Sequence, residues 1–426
     1  MANRNTLTRA RLPDWLRDNL AVLSATAFLT GIHSNMVSVV WQPYVLSLGA
    51  SMTTLGWLTS LGGFQGIVTS LIQPLGGWLA DRMGRKPFVV WASVVLIAAY
   101  ALYTLAGVTR VWTFLIPGVV LIGLSGLNRP ARSSLTVESV TAERRGMGFS
   151  VVQVATVLPG IFAPILGGFI ADRATATAVF PVGIAFEVLS LYLVARYLSE
   201  TASVRWTQDR AAWADLWSML KRSVVPPPGL FGFFLCLAGD SFVWGISLGT
   251  LFGMFSKTYG LSDAQLGLMT SAMSVSSVIL QLPIGRLVDR YGCKPSMVFS
   301  EAIGLPLMLM WAFSSRFEVL VGSYALFGLV ASTWGPAVMT YLAARIPTDE
   351  RAEAIGRLSA FRGLLAFPAP FIGSLLFERG GLRLPVLVTL VGIILVMMGF
   401  IVLVKEPKTI YLFSATPLPG LGRQRW

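Results

Sequence analysis

The sequence predicts an all-helical membrane protein with about twelve transmembrane helices in two pseudo-symmetric six-helix halves. Three observations predict it. Of the 426 residues, 54% are hydrophobic and only 12% charged, against roughly a quarter charged in soluble domains, so a soluble fold would lack the polar surface to face water. Apolar stretches of about twenty residues recur along the chain, each long enough as a helix to cross a hydrocarbon core of about 30 Å. Finally, the second half of the sequence echoes the first at a constant offset.

The elements follow in chain order. Residues 1–18 form an N-terminal tail holding Arg4, Arg9, Arg11 and Arg17 but no short apolar core with a small-residue cleavage site, so no signal peptide is expected. The first half, 19–199, divides into spans one to six at 19–46, 53–80, 88–108, 112–138, 147–172 and 179–199. A linker, 200–228, separates it from the second half, 229–405, whose spans seven to twelve lie at 229–256, 263–288, 296–315, 318–344, 353–377 and 382–404; residues 406–426 are a C-terminal tail. In the linker, Trp206, Trp213, Trp217 and Leu220 recur at helical spacing between charged residues, which predicts a helix lying in the membrane interface. The run Pro226-Pro227-Pro228 stops it.

Charge sets the orientation. About twenty bases fall in the tails and the even-numbered loops, against about six in the odd loops. By the positive-inside rule both termini are cytoplasmic, in a multi-pass protein of the cell membrane. Because the net charge of +13 is dispersed over span ends and not gathered on one face, a nucleic-acid partner is excluded. Cys236, within a helix, and Cys293, in a loop, are too far apart in topology for a disulfide. His33 is the only histidine, so no metal-site spacing, nucleophile–base pair or cofactor site is expected. The partners expected are the bilayer and a small-molecule substrate, handled by a monomer.

The repeat decides the architecture. Gly77 to Pro87 (GWLADRMGRKP) is echoed by Gly285 to Pro295 (GRLVDRYGCKP). Pro130-Ala131 matches Pro336-Ala337, Arg145 matches Arg351, Ala163-Pro164 matches Ala369-Pro370 and Gly167 matches Gly373, without gaps. Two halves in the same orientation follow, related by an axis along the membrane normal.

Residues 77–86 run Gly, any residue, aliphatic, any residue, Asp, base, any residue, Gly, base, base; 285–294 repeats this except that Cys293 replaces a base. With Glu143-Arg144-Arg145-Gly146 after span four, these loops, the repeat and the hydropathy over about 19–405 resemble the major facilitator superfamily of secondary transporters, its drug and solute efflux branch included. The residues carry their own chemistry. Gly77 and Gly285 allow a neighbouring backbone to approach, and Asp81 can accept from exposed N–H groups at the start of a neighbouring helix and offset its dipole. A plainer reading makes them turn and topology signals, though acids contribute little to orientation. The resemblance implies that Asp81 and Arg85 meet span eleven, and Asp289 and Arg290 span five, closing the cytoplasmic side of the outward-facing state. Arg82, Gly84, Lys86, Gly292 and Lys294 complete the two gating loops.

The resemblance also implies a central cavity lined by spans one, four, seven and ten. Ionisable groups at membrane depth are costly and face a cavity or a partner, which singles out His33, Arg129, Arg132, Asp240 and Arg362. Asp240 and His33 sit near the middle of cavity-lining spans on opposite halves. Between them they can carry a coupling proton; the alternative is a static structural pair. Arg129 offers a donor fork to an anionic substrate group, Arg132 can snorkel to the interface, and Arg362 calls for an acid that the sequence does not name. Trp41, Tyr44, Phe242, Trp244 and Trp334 either line the cavity or face lipid. Gly245, Gly249 and Gly253 form a packing stripe on span seven. Pro159 to Gly168 resembles the family's antiporter signature, with Ala163 in place of a glycine. The expected function is proton-coupled export of a small organic solute by alternating access. A passive facilitator or importer, and a non-transporting sensor or assembly factor, are the alternatives.

Overall fold

The computed structural model describes residues 18–62, 66–140, 145–201, 225–347 and 350–407. Among them every regular element is a helix, in the order the hydropathy predicts. Span one is Asn19–Ser47, span two Met52–Gly62 and Ile67–Met83, span three Arg85–Thr109, span four Leu115–Ser125 and Asn128–Glu138, span five Arg145–Val157 and Ala163–Arg173, and span six Val179–Tyr197. Span seven is Phe231–Leu248 and Leu251–Tyr259, span eight Asp263–Tyr291, span nine Cys293–Phe313, span ten Phe317–Arg345, span eleven Arg351–Ala366 and Ala369–Gly380, and span twelve Arg383–Leu403. Eleven of these crossings are long and apolar enough to span a bilayer as described. The twelfth is span two, whose helices flank residues 63–65. The predicted interfacial helix at Trp206–Leu220 lies outside the described residues.

Four spans that hydropathy reads as continuous are interrupted at Gly126-Leu127, Leu158–Phe162, Gly249-Thr250 and Phe367-Pro368. Glycine or proline stands at or beside each break, where a helix loses a side chain's support or a backbone donor. Hydropathy averaged over twenty residues does not register such single positions. Inside a membrane the freed N–H and C=O groups need partners from elsewhere in the protein, and those partners shape the site described below.

Equivalent helices pack equivalently in the two halves. Span one lies on spans five and six, span three on four and six; likewise span seven lies on eleven and twelve, span nine on ten and twelve. Between halves, span two runs against span eleven, and span eight against the Ala163–Arg173 part of span five. The glycine stripe of span seven is a packing surface. A Cβ on Gly245 would sit 2.9 Å from the Ala369 side chain, one on Gly249 2.7 Å from Pro370, and one on Gly253 2.7 Å from Leu55. Close approach was expected at Gly285 too, but a Cβ there would meet nothing. On span two it falls at Gly76, against the backbone of Leu127; the side-chain position of Gly77 lies outside the described residues.

Candidate functional site

A cavity of about 510 Å³ opens between the halves, walled by spans seven, nine, ten and eleven and reached from the other half by Thr59 of span two. Its apolar wall is aromatic: Trp244 and Phe327, with ring centroids 5.4 Å apart, and Trp334. Its polar wall is one cluster. The Asp240 and Glu301 carboxyl groups are in contact, Trp244 Nε1 donates to Glu301 Oε2 at 3.2 Å, and Arg362 faces Asp240 at 3.8 Å while its Nε donates to Ser241 Oγ at 2.8 Å. Asp240 and Glu301 are buried and Arg362 is partly exposed. The acid that Arg362 requires is therefore Asp240. Glu301 is the member sequence reasoning passed over, because span nine is not among the spans the resemblance makes central. Its signal was a carboxylate near the middle of an apolar helix.

His33 is not part of this cluster. It is buried in the first half, its Nε2 2.8 Å from Glu187 Oε2 and its Nδ1 3.1 Å from the Tyr100 hydroxyl. So the expected juxtaposition of His33 and Asp240 is replaced by two separate buried clusters, one per half. Arg132 joins the first half's set, donating to Thr26 Oγ1 at 3.5 Å. Trp41 and Tyr44 also belong there and do not line the cavity. Trp41 lies on Tyr103 at 4.7 Å between centroids, and Tyr44 packs on Phe180 and donates its hydroxyl to the Tyr103 carbonyl. Arg129 is exposed and stands outside the cavity wall. Phe242 lies on a separate outer groove with span-twelve residues.

Above the cavity, on the face away from the termini, the halves are sealed by side chains that satisfy freed backbone groups. The break in span seven leaves the Gly249 carbonyl and the Gly253 N–H without helical partners, and one side chain from span one serves both. Gln42 Nε2 donates to Gly249 O at 3.1 Å, and its Oε1 accepts from Gly253 N at 2.9 Å. After the break in span eleven, Phe371 N donates to Ser60 Oγ of span two at 3.2 Å. Asp172, ending span five, accepts from the N–H groups of Asp263 and Ala264 at the start of span eight, both at 3.1 Å. Glu378, ending span eleven, accepts from Thr53 N at 2.9 Å and Thr53 Oγ1 at 2.5 Å at the start of span two. Gly249 and Pro370 belong both to the seal and to the cavity wall.

This geometry (two bundles, a cavity between them, a seal on one face) has relatives. Residues 23–250 and 229–422 match the Major Facilitator Superfamily. The chain belongs to that superfamily. Its relatives include the multi-drug resistance efflux pump PmrA of Streptococcus pneumoniae serotype 4, 25% identical over 367 residues, covering 84% of this chain and 88% of that one. Multidrug resistance protein MdtG of Serratia proteamaculans is 23% identical over 379 residues, covering 88% and 90%. Among solved structures the nucleoside transporter NupG superposes with a TM-score of 0.70 at 14% identity over 91% of this chain and all (100%) of that one, a likeness of fold.

As a superfamily transporter, the chain carries its two signature loops on the face of the termini, and several of their described contacts lie within one half. Arg85 pairs with Glu138 at the end of span four; the contact with span eleven expected of Asp81 lies outside the described residues. Lys86 N donates to Glu200 at 2.9 Å. In the second loop, Cys293 N and Lys294 N donate to Glu406 at 2.8 and 2.7 Å, and Lys294 Nζ to the Ile401 carbonyl at 2.7 Å. Asp289 and Arg290 are exposed, with the Arg290 guanidinium 5.6 Å from the Tyr291 ring centroid. Gly84 and Gly292, at φ +89° and +95°, turn the chain through a region that side chains disfavour. Arg82 lies in the last turn of the helix Ile67–Met83; the side chain of Asp81 lies outside the described residues.

Proposed function

We propose that this transporter exports a small amphipathic organic solute in exchange for protons, by alternating access, with both termini in the cytoplasm. The observation that carries the proposal is the Asp240–Glu301 contact on the cavity wall, beside Arg362. Two touching carboxyl groups in a low-dielectric wall repel one another unless a proton lies between them. With that proton, the pair and Arg362 hold no excess negative charge. Without it, one negative charge is left uncompensated at the cavity surface, and a donor or cationic group on a solute can take the proton's place. Proton and solute then compete for one site, which is the requirement for exchange. The aromatic wall of Trp244, Phe327 and Trp334 offers the apolar half of that solute a surface. The positive-inside distribution of bases supports reading the sealed face, away from the termini, as the external one. Resemblance to proteins named as multidrug efflux pumps supports the outward direction.

The test is transport in inside-out vesicles given an acid interior, with a fluorescent amphipathic cation as probe. Wild-type protein should accumulate the probe against its gradient. Asp240→Asn and Glu301→Gln should each bring accumulation down to the level of empty vesicles while probe exchange at equal concentrations persists. Accumulation by the wild type that ignores the proton gradient would overturn the coupling.

A further inference from the structure

The repeat reaches further than the signature loops, to residues that have no role in the cavity. At the offset of 206 positions that relates Ala163-Pro164 to Ala369-Pro370, Asp172 corresponds to Glu378 and Glu200 to Glu406. All four carboxylates cap the start of a helix, but they do so differently. Glu200 and Glu406 cap spans three and nine within their own halves. Asp172 and Glu378 reach across, each from one half to the first turn of a helix in the other.

Beneath each crossed cap the helices are as close as backbones allow. A Cβ on Gly267 of span eight would strike the Pro164 carbonyl of span five, and one on Gly56 of span two would lie 2.6 Å from the Pro370 carbonyl of span eleven. Pro164 and Pro370 are again equivalent in the repeat. The two contacts are one device used twice: a carboxylate on free N–H groups at the rim and a glycine on a carbonyl below it. Each cap sets a carboxylate, at an exposed position, on the partial positive charge at a helix start. Opening this face separates span five from eight and span two from eleven, so it must break both caps.

We propose that Asp172 and Glu378 are positioning residues of the transport cycle, a crossed pair of helix caps that holds the face opposite the termini shut until both let go. The proposal rests on alternating access but not on proton coupling, and its test reads distance, not transport.

Purified full-length protein would carry spin labels at Thr175→Cys and Thr258→Cys, exposed positions on that face in opposite halves, with Cys236 and Cys293 replaced by alanine. Electron–electron distance measurements should find mainly the short separation with the native caps. Asp172→Ala and Glu378→Ala should each raise the ratio of long to short separations about fivefold, and the double variant about twenty-five-fold, as two independent caps would. Asp172→Glu and Glu378→Asp should restore most of the short population. Glu318→Ala, which removes an exposed acid in the first turn of span ten, should change nothing. If the double alanine variant does not fold, Asp172→Asn with Glu378→Gln keeps the acceptors but loses the charge, and should shift the ratio less in the same direction. An unchanged distribution in the double variant, or an equal shift in Glu318→Ala, would overturn the proposal.

Discussion

At the scale of single residues, the two buried clusters make different demands. His33 and Glu187 are closed off from solvent, 2.8 Å apart, with Tyr100 on the other ring nitrogen. Removing one member leaves a buried carboxylate or imidazole without its partner, and breaking a buried pair this way costs about 3–5 kcal/mol, whereas replacing both members with apolar groups is often neutral. His33→Ala should therefore lower thermal stability strongly in detergent, and His33→Leu with Glu187→Leu should recover most of the loss. If the two variants melt together, the pair is not what holds spans one and six. Both residues stand in the sequence as charges at membrane depth, which is how His33 was found. What a single sequence could not show is the partner. His33 and Asp240 looked equivalent by depth, but depth along a helix says nothing about which way a side chain faces. The neighbours that decide this, Glu187 for one and Glu301 for the other, lie on spans six and nine.

At the scale of elements, the informative positions are the breaks. Twelve crossings were legible because apolar length is a long-range average, and span ends agree within a few residues. The interruptions were not, since they depend on one proline or glycine and on whether another helix supplies the missing partners. Gln42 shows the dependence most directly, because one amide serves both orphaned groups at the break in span seven. An unpartnered buried backbone group costs about 1–3 kcal/mol. Gln42→Ala leaves two of them, so it should destabilise the fold by about 2–6 kcal/mol, measured as a lower unfolding temperature and faster amide exchange at Gly253. Gln42→Glu keeps an acceptor for Gly253 N–H but offers the Gly249 carbonyl no donor, and should fall between. Equal stability of Gln42→Ala and wild type would mean that water reaches the break.

At the scale of the whole molecule, the repeat tells more than the motif. The signature loops named the family, and the contacts described there include Arg85 on Glu138 and Lys294 on the Ile401 carbonyl, each within one half. The crossed contacts lie on the opposite face, at residues legible only by carrying the repeat's offset past its obvious matches, as it pairs Asp172 with Glu378. The close approach beneath those caps predicts what bulk at the seal will do. Gly267 and Gly56 lie against the Pro164 and Pro370 carbonyls, and backbone atoms at that separation have nowhere to retreat. Gly267→Val or Gly56→Val must push the halves apart on that face, while the termini face and the cavity wall keep their contacts. Each variant should leave the face away from the termini open much of the time. A cysteine at Thr59, on the cavity wall, should then react with a membrane-impermeant maleimide from that side about tenfold faster or more, where a shift of about 1.4 kcal/mol between two states suffices for tenfold. Turnover should fall, because the cycle must return through the closed seal, yet an amphipathic probe should still bind. Gly285→Val is the internal comparison. A Cβ there meets nothing in this state, so reactivity from that side should not change, and a Gly285→Val variant that opened the same face would show that bulk anywhere in span eight acts through the helix rather than through the seal.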